Sequence, residues 1–364
     1  MSERREMERF QNAVERWSEA RGRDGKRAFT IPLTGASRDP HFLELDRISM
    51  ADWLDARGFT TPFLRWYVEY GTRDDFGAVL SETSAWAGLH YFAARSMETA
   101  QLEGSRYLVW PEGNGWLVKG LRSRLRARWR HHALALRVVP MGSRVAVDYL
   151  DVDRDELRRI EADGVVLATP GFVTKRLTKG LGDVAPLPDR TTSPWVVANV
   201  HVERDYEPNR AWDSMIYDSP SLGYVDAGHQ GGAPKRRTVL THFRAYGDPD
   251  VAGTRAMLLG HGWAVHAGAV LDDMRTAHPE IVEQCRRVDV MIWGHAMPRP
   301  RPGFLGADPM GSAPMIAERV AWAHVDQTGY ALFEEATDRG VRAAEALGKS
   351  LGLAMGDSYL GPVT

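Results

Sequence analysis

The residues whose types and spacing offer chemistry fall in a few short stretches of this 364-residue chain. The first is the turn W-P-E-G-N-G-W, in which Gly113 and Gly115 stand between a short apolar strand and a helix. A helix N-terminus at that place presents N–H groups to a phosphate, as in a dinucleotide-binding βαβ unit. The third glycine position, however, is Val118, and no carboxylate ends a second strand about 20 residues further on. Taken by itself, the turn reads as an ordinary glycine turn or as an imperfect dinucleotide site. The second stretch holds Asp74, Asp75, Trp86, His90 and Tyr91, which form either the wall of an apolar cavity with a few polar groups or a core of helix-packing aromatics. Asn199, His201 and His242, on two expected strands, are candidates to face the same cavity.

Other chemistries find no support. His261 and His266 are five apart, which puts them on different faces of a helix, and no H-E-x-x-H occurs, so no metal site is expected. Arg122, Arg124, Arg126, Arg128 and Arg130 read as a solvated surface, or else as a contact for an acidic partner or a nucleotide phosphate. There is no G-x-S-x-G, and the Gly-Lys-Ser triplet at 348–350 follows a helix and lacks the upstream P-loop glycine. Cys285 is the single cysteine, which excludes an internal disulfide and a cysteine-based metal cluster.

These residues need a framework, and composition bounds it. Hydrophobic residues make up 43% of the chain, enough for two domains or for one interrupted by another. A net charge of -2 points to neither nucleic acid nor an anionic membrane as partner. No secretory signal and no run of about 20 apolar residues is visible, so as written the chain is expected to be cytoplasmic.

Met7, Phe10, Val14 and Trp17 line one face of an opening helix. Ser49 and Asp52 form a capping box for a helix that Gly58 ends, and another helix covers 62–70. Then come a strand over 107–110, a helix over 116–130, strands over 134–139, 145–150 and 158–162, and a strand over 164–169 that stops at Pro170. The stretch 187–194, with Pro188 and Pro194, reads as a crossing linker. Strands at 194–202 and 237–246 belong to a second sheet; helices fill 251–278, and the chain is expected to cross back near 280–290. A strong helix over 333–347 closes the pattern.

In this order the pieces resemble the flavin-containing amine oxidases and the phytoene desaturase-like proteins. The resemblance rests on residues 111–121, on Val165-Val166-Leu167-Ala168-Thr169-Pro170, on Ile292-Trp293-Gly294-His295, on 321–326 and on Phe333-Glu334-Glu335-Ala336. It implies an α/β fold: an incomplete FAD-binding domain (105–182 and 283–364) with an inserted α+β substrate domain (helices in 1–104, sheet in 183–282). It implies FAD contacts from Trp110, Pro111, Gly113, Asn114, Gly115, Val138, Ala168, Thr169, Pro170, Trp293, Asp326, Phe333 and Glu334, and a substrate pocket at Trp86, His90, Tyr91, Asn199, His201 and His242. The expected activity is hydride transfer from a C–N or C–C bond of a small molecule to flavin.

Three departures shape the expectation. Glu335 replaces the small residue of the family's E-G-A pattern, although Gly340 is expected to allow close approach on one helix face. The lysine these enzymes commonly aim at flavin N5 is not evident, since 187–246 contain only Lys235. The Rossmann fingerprint G-x-G-x-x-G is missing, so this chain alone is expected to hold FAD weakly. Either the chain is a truncated form of such an oxidoreductase, its FAD domain completed by a partner chain, or it is a non-catalytic or partner-dependent binding protein that has lost independent FAD binding.

Overall fold

The computed structural model describes residues 2–95, 110–203, 211–229, 237–306 and 314–360. Its N-terminal layer is helical: α1 (Glu3–Glu19), α2 (Pro40–Leu43), α3 (Met50–Ala56), α4 (Pro62–Phe76) and α5 (Ala85–Ala93). The capping box of α3 forms, Ser49 Oγ accepting from Asp52 N–H at 3.1 Å while Asp52 accepts from Ser49 N–H at 3.2 Å. α4 opens on Pro62 and ends at Gly77, whose φ of +59° closes the last turn. The apolar faces meet in one core of Phe10, Phe29, Trp53, Leu64, Trp86 and Leu89, which also takes in Phe304 and Tyr330 from far along the chain. Each such large side chain contributes roughly 1.5–3 kcal/mol by leaving water.

Next come α6 (Gly115–Arg124), β1 (Ala133–Met141), β2 (Arg144–Asp151), β3 (Glu156–Ala162), β4 (Val165–Leu167) and α7 (Gly171–Leu177). β1, β2 and β3 form an antiparallel meander. α6 stops at Arg124, short of the expected Arg130, because it buries no residue, and an isolated helix of this length has little to extend it. The strand expected over 107–110 lies outside the described residues except for Trp110.

The chain then builds β5 (Thr192–Val202), β6 (Asp213–Ser214), β7 (Tyr224–Asp226), β8 (Thr238–Ala245), α8 (Val251–Gly260), α9 (Trp263–Arg275), α10 (Ile281–Gln284) and β9 (Cys285–Pro298). These strands make a five-stranded sheet in the order β6-β7-β8-β5-β9, with Val270 and Met274 of α9 packed on its Ala198, Val200 and Leu240. The expected return crossing near 280–290 is corrected: β9 pairs with β5 from Cys285 to Pro298, so the chain leaves this sheet only after 298. The 283 boundary moves with it, because residues 285–298 belong to the second sheet.

β10 (Met315–Ala317) and β11 (Val320–Trp322) form a hairpin, β11 runs parallel to β4, and α11 (Phe333–Ser350) packs Ala343 and Leu347 against Ala321. Gly340 makes no close approach to a neighbouring element, since a Cβ there would meet nothing within 4 Å.

Candidate cofactor and substrate site

The ends of β4 and β11 are tied together by side chains that the sequence places there. Trp322 Nε1 donates to Thr169 O at 2.8 Å, and Gly171 N–H donates to Asp326 Oδ2 at 2.7 Å. Burial works against the Asp326 charge, but His324, the Gly171 N–H and Arg190 outweigh it and hold the carboxyl below its usual range. Thr169, Pro170 and Asp326 therefore converge, with Ala168 exposed beside them.

From this junction Gly329, at a φ of +85°, turns the chain into Tyr330 and α11. Tyr330 is fully buried, its ring 4.7 Å from His90 and 5.2 Å from Phe76 between centroids. No side chain caps α11, and the N–H groups of Phe333, Glu334 and Glu335 have no partner four residues back within the helix. Such an end carries partial positive charge. Phe333 is half-buried and Glu334 exposed. Glu335 is buried; its Oε1 accepts the Leu33 N–H and its Oε2 has no partner among the described residues. Burial raises its carboxyl above the ordinary value. Its carboxylate is thus turned toward the helical layer.

A second group of charges stands against this helix end. Tyr91 Oη donates to Asp74 at 3.3 Å, and Arg95 pairs with Asp75 at 2.7 Å. Burial, with the charges of Asp75 and Asp213, pushes Asp74 up to about 6. Burial also raises Asp75, and the charge of Glu334 adds to that shift, so the acidic pair and the start of α11 share one electrostatic environment.

Several expected site residues lie elsewhere. Trp110 stacks on Trp116 at 5.1 Å, but residues 111–115 are exposed, and a Cβ on Gly113 or Gly115 would meet nothing within 4 Å. Val138 points its side chain into the core with Val145, Leu167 and Trp322. Trp293 is on β9, opposite Trp195 and 52% exposed, in the second sheet. Trp86 and His90 are core residues with no exposed surface; burial pushes His90 down to about 3, and its Nε2 lies 2.8 Å from Thr30 O. Asn199 and His201 do not share a cavity with His242. His242 pairs with Ala198, so the pleat puts it on the opposite face, where it meets Asp273 at 2.8 Å beneath α9. Lys235 lies outside the described residues.

Two residues missed by periodicity hold the crossings. Arg190 donates from Nε, Nη1 and Nη2 to the carbonyls of Asp326, Phe304 and Gln327, joining both crossings to the approach to α11. Arg299, 2% exposed, donates to Ser193 Oγ and to the carbonyls of Asp248 and Tyr246. Arg299 stands between Pro298 and Pro300 and Arg190 two residues after Pro188, the only signal the sequence offers for either.

A helix followed by an antiparallel meander is joined through two crossings to a five-stranded sheet, with an uncapped helix at the junction. The chain matches flavin containing amine oxidoreductases over residues 8–348 and belongs to that family. FAD is the cofactor this membership implies. Among solved structures, putrescine oxidase (wild type, bound to putrescine) is similar at a TM-score of 0.67 and 16% identity, covering 96% of this chain and 76% of that one. Cyclohexylamine oxidase from Brevibacterium oxydans IH-35A is similar at 0.62 and 16%, covering 95% and 75%. No curated protein matches the chain in sequence. Among the described residues no helix is long and apolar enough to cross a membrane.

The described residues fit an FAD at one end only. The uncapped start of α11 and the β4–β11 junction suit the electron-rich edge of a flavin ring, whereas the exposed turn at 111–115 makes no cradle for a diphosphate.

Proposed function

We propose that this chain is the substrate-binding and ring-facing part of an amine-oxidising FAD enzyme, and that FAD is retained only when a further polypeptide segment, joined to it or separate, supplies the diphosphate-binding loop. The observation that carries this reading is the apolar surface that α6 and β1 leave exposed among the described residues. Trp116, Leu121 and Leu125 are 48%, 55% and 56% exposed, and Trp129, Leu134 and Leu136 are exposed beside them. Such a surface marks an interaction site. The family motif at 110–121 begins on that same surface.

When bound, FAD accepts hydride from a C–N bond. The residues of this chain bind and orient. Asp74 and Asp75, with Glu334 nearby, favour the approach of a cationic amine, and Tyr91 and Arg95 fix the two aspartates. The first turn of α11 stabilises negative charge that develops next to it. Trp86, His90, Phe304 and Tyr330 close the floor against water. The missing fingerprint favours a second reading, in which the five-stranded sheet serves as a non-catalytic binding module.

The test is to add FAD to the purified chain, alone and with a dinucleotide-binding βαβ segment from a structural relative, and to follow flavin absorbance and its bleaching by putrescine or cyclohexylamine. Retention of FAD and amine-dependent bleaching only in the mixture is expected. No retention of FAD even in the mixture would favour the binding module.

A further inference from the structure

The two crossing segments, 188–191 and 299–306, flank a cleft of about 400 Å³ whose lining includes Gln327. Gln327 is 2% exposed, and neither its amide oxygen nor its amide nitrogen has a hydrogen-bond partner among the described residues. A buried amide in that state opposes folding, and native structures normally supply such a group with a partner from outside the chain. No residue expected to contact the flavin lines this cleft.

The charge around it is positive. Arg190, Arg299 and Arg301 line the cleft, and among the described residues the only acidic side chain that does is Asp189, which is exposed and pairs with Lys175 at 3.2 Å. Glu82 pairs with Arg301 and lies 3.8 Å from Arg299, so one carboxylate serves two cations. Burial, and then the Arg301 charge, brings the Arg299 guanidinium down to about 10. Donors remain as well: Arg301 Nε is buried without a partner. Arg190 gives one hydrogen from each nitrogen to the carbonyls of Asp326, Phe304 and Gln327, which leaves a second hydrogen on Nη1 and on Nη2. Guanidinium groups in such numbers favour a carboxylate. A plain carboxylate, however, only accepts hydrogen bonds, and the Gln327 oxygen needs a donor. An ammonium donor would be repelled by the three cations, whereas a hydroxyl would not.

We propose that this cleft binds a small hydroxycarboxylate, its carboxylate on the arginines and its hydroxyl on the Gln327 amide. The volume lies within the range of small-molecule sites. Such a ligand bridges the two crossings, and its binding requires no flavin.

Calorimetry on the full chain without flavin tests the proposal, using malate, succinate, which lacks the hydroxyl, and glycerol, which lacks the carboxylates. Malate is expected to bind once per chain and more weakly as salt is raised, succinate about tenfold or more less tightly, and glycerol not measurably. Gln327→Met should bring malate down to the affinity of succinate. Because the amide has no partner in the fold, this variant should melt at or above the parent temperature. Arg301→Gln, at a partly exposed side chain, should weaken both acids about tenfold or more and keep the preference for malate. Absence of saturable malate binding, equal affinity for malate and succinate in the parent, a preference that survives Gln327→Met, a Gln327→Met chain that melts well below the parent, or an Arg301→Gln chain that binds malate unchanged would each overturn it.

Discussion

Single side chains at the junction have consequences that titration and substitution can read. Asp74 is raised on folding to about 6 from an ordinary 3.8, so the folded chain holds a proton that the unfolded one releases. The stability it contributes is complete below its ordinary value and is lost as pH rises toward 6. In Asp74→Asn this loss disappears. Denaturant unfolding from pH 4 to 7 should show the variant gaining on the parent by on the order of 1–2 kcal/mol, less than the full two-unit shift because the side chain is only half-buried. Arg190 acts through backbone carbonyls, and Arg190→Met leaves three of them without their donor. A loss of about 3 kcal/mol or more is expected, read as a lower midpoint in denaturant. At this scale the sequence was informative about Thr169, Pro170 and Asp326, which a motif marks. It was silent on Arg190, Arg299 and the Glu335–Leu33 contact, because partners 51 to 302 residues apart leave no local pattern. His242 misled because alternation along one strand does not reveal the register with the next.

Elements form where local signals and packing agree. The capping box at Ser49 and Asp52, the glycine end of α3 at Gly58 and the meander were legible for that reason, whereas α4 runs on to Phe76, past the expected end at 70. α6 was over-extended and the return crossing placed early for the opposite one: α6 buries none of its residues among the described part of the chain, and the Val288, Val290 and Ile292 alternation belongs to an edge strand of the second sheet. Gly77 shows how tightly the helical layer meets that sheet. A Cβ there would lie 2.6 Å from Ser193 Cβ and 2.7 Å from Trp195 Nε1, in a left-handed backbone. Gly77→Ala should cost about 2 kcal/mol or more in thermal unfolding, from strain and overpacking together. For α6 the reverse holds. Leu121→Lys with Leu125→Lys should leave the melting temperature within a degree or two of the parent, since neither side chain is buried. The same pair should abolish any gain in FAD retention from an added βαβ segment.

Across the whole molecule, the family was readable from the order of the motifs, while the exposure of the 111–115 turn was not. Under the proposed reading, motif spacing records which segments meet in the cofactor site, and the described residues supply its ring-facing side. The β4–β11 pairing, the uncapped α11 and the acidic pair beside it form the end that we propose faces the flavin ring, with the exposed α6 surface as the proposed seat of a diphosphate-binding segment. The most direct test is the flavin absorbance of the purified chain after incubation with excess FAD and removal of free cofactor. The account predicts far less than one flavin per chain, rising toward one when a diphosphate-binding segment is supplied. One flavin per chain retained without that segment would contradict it.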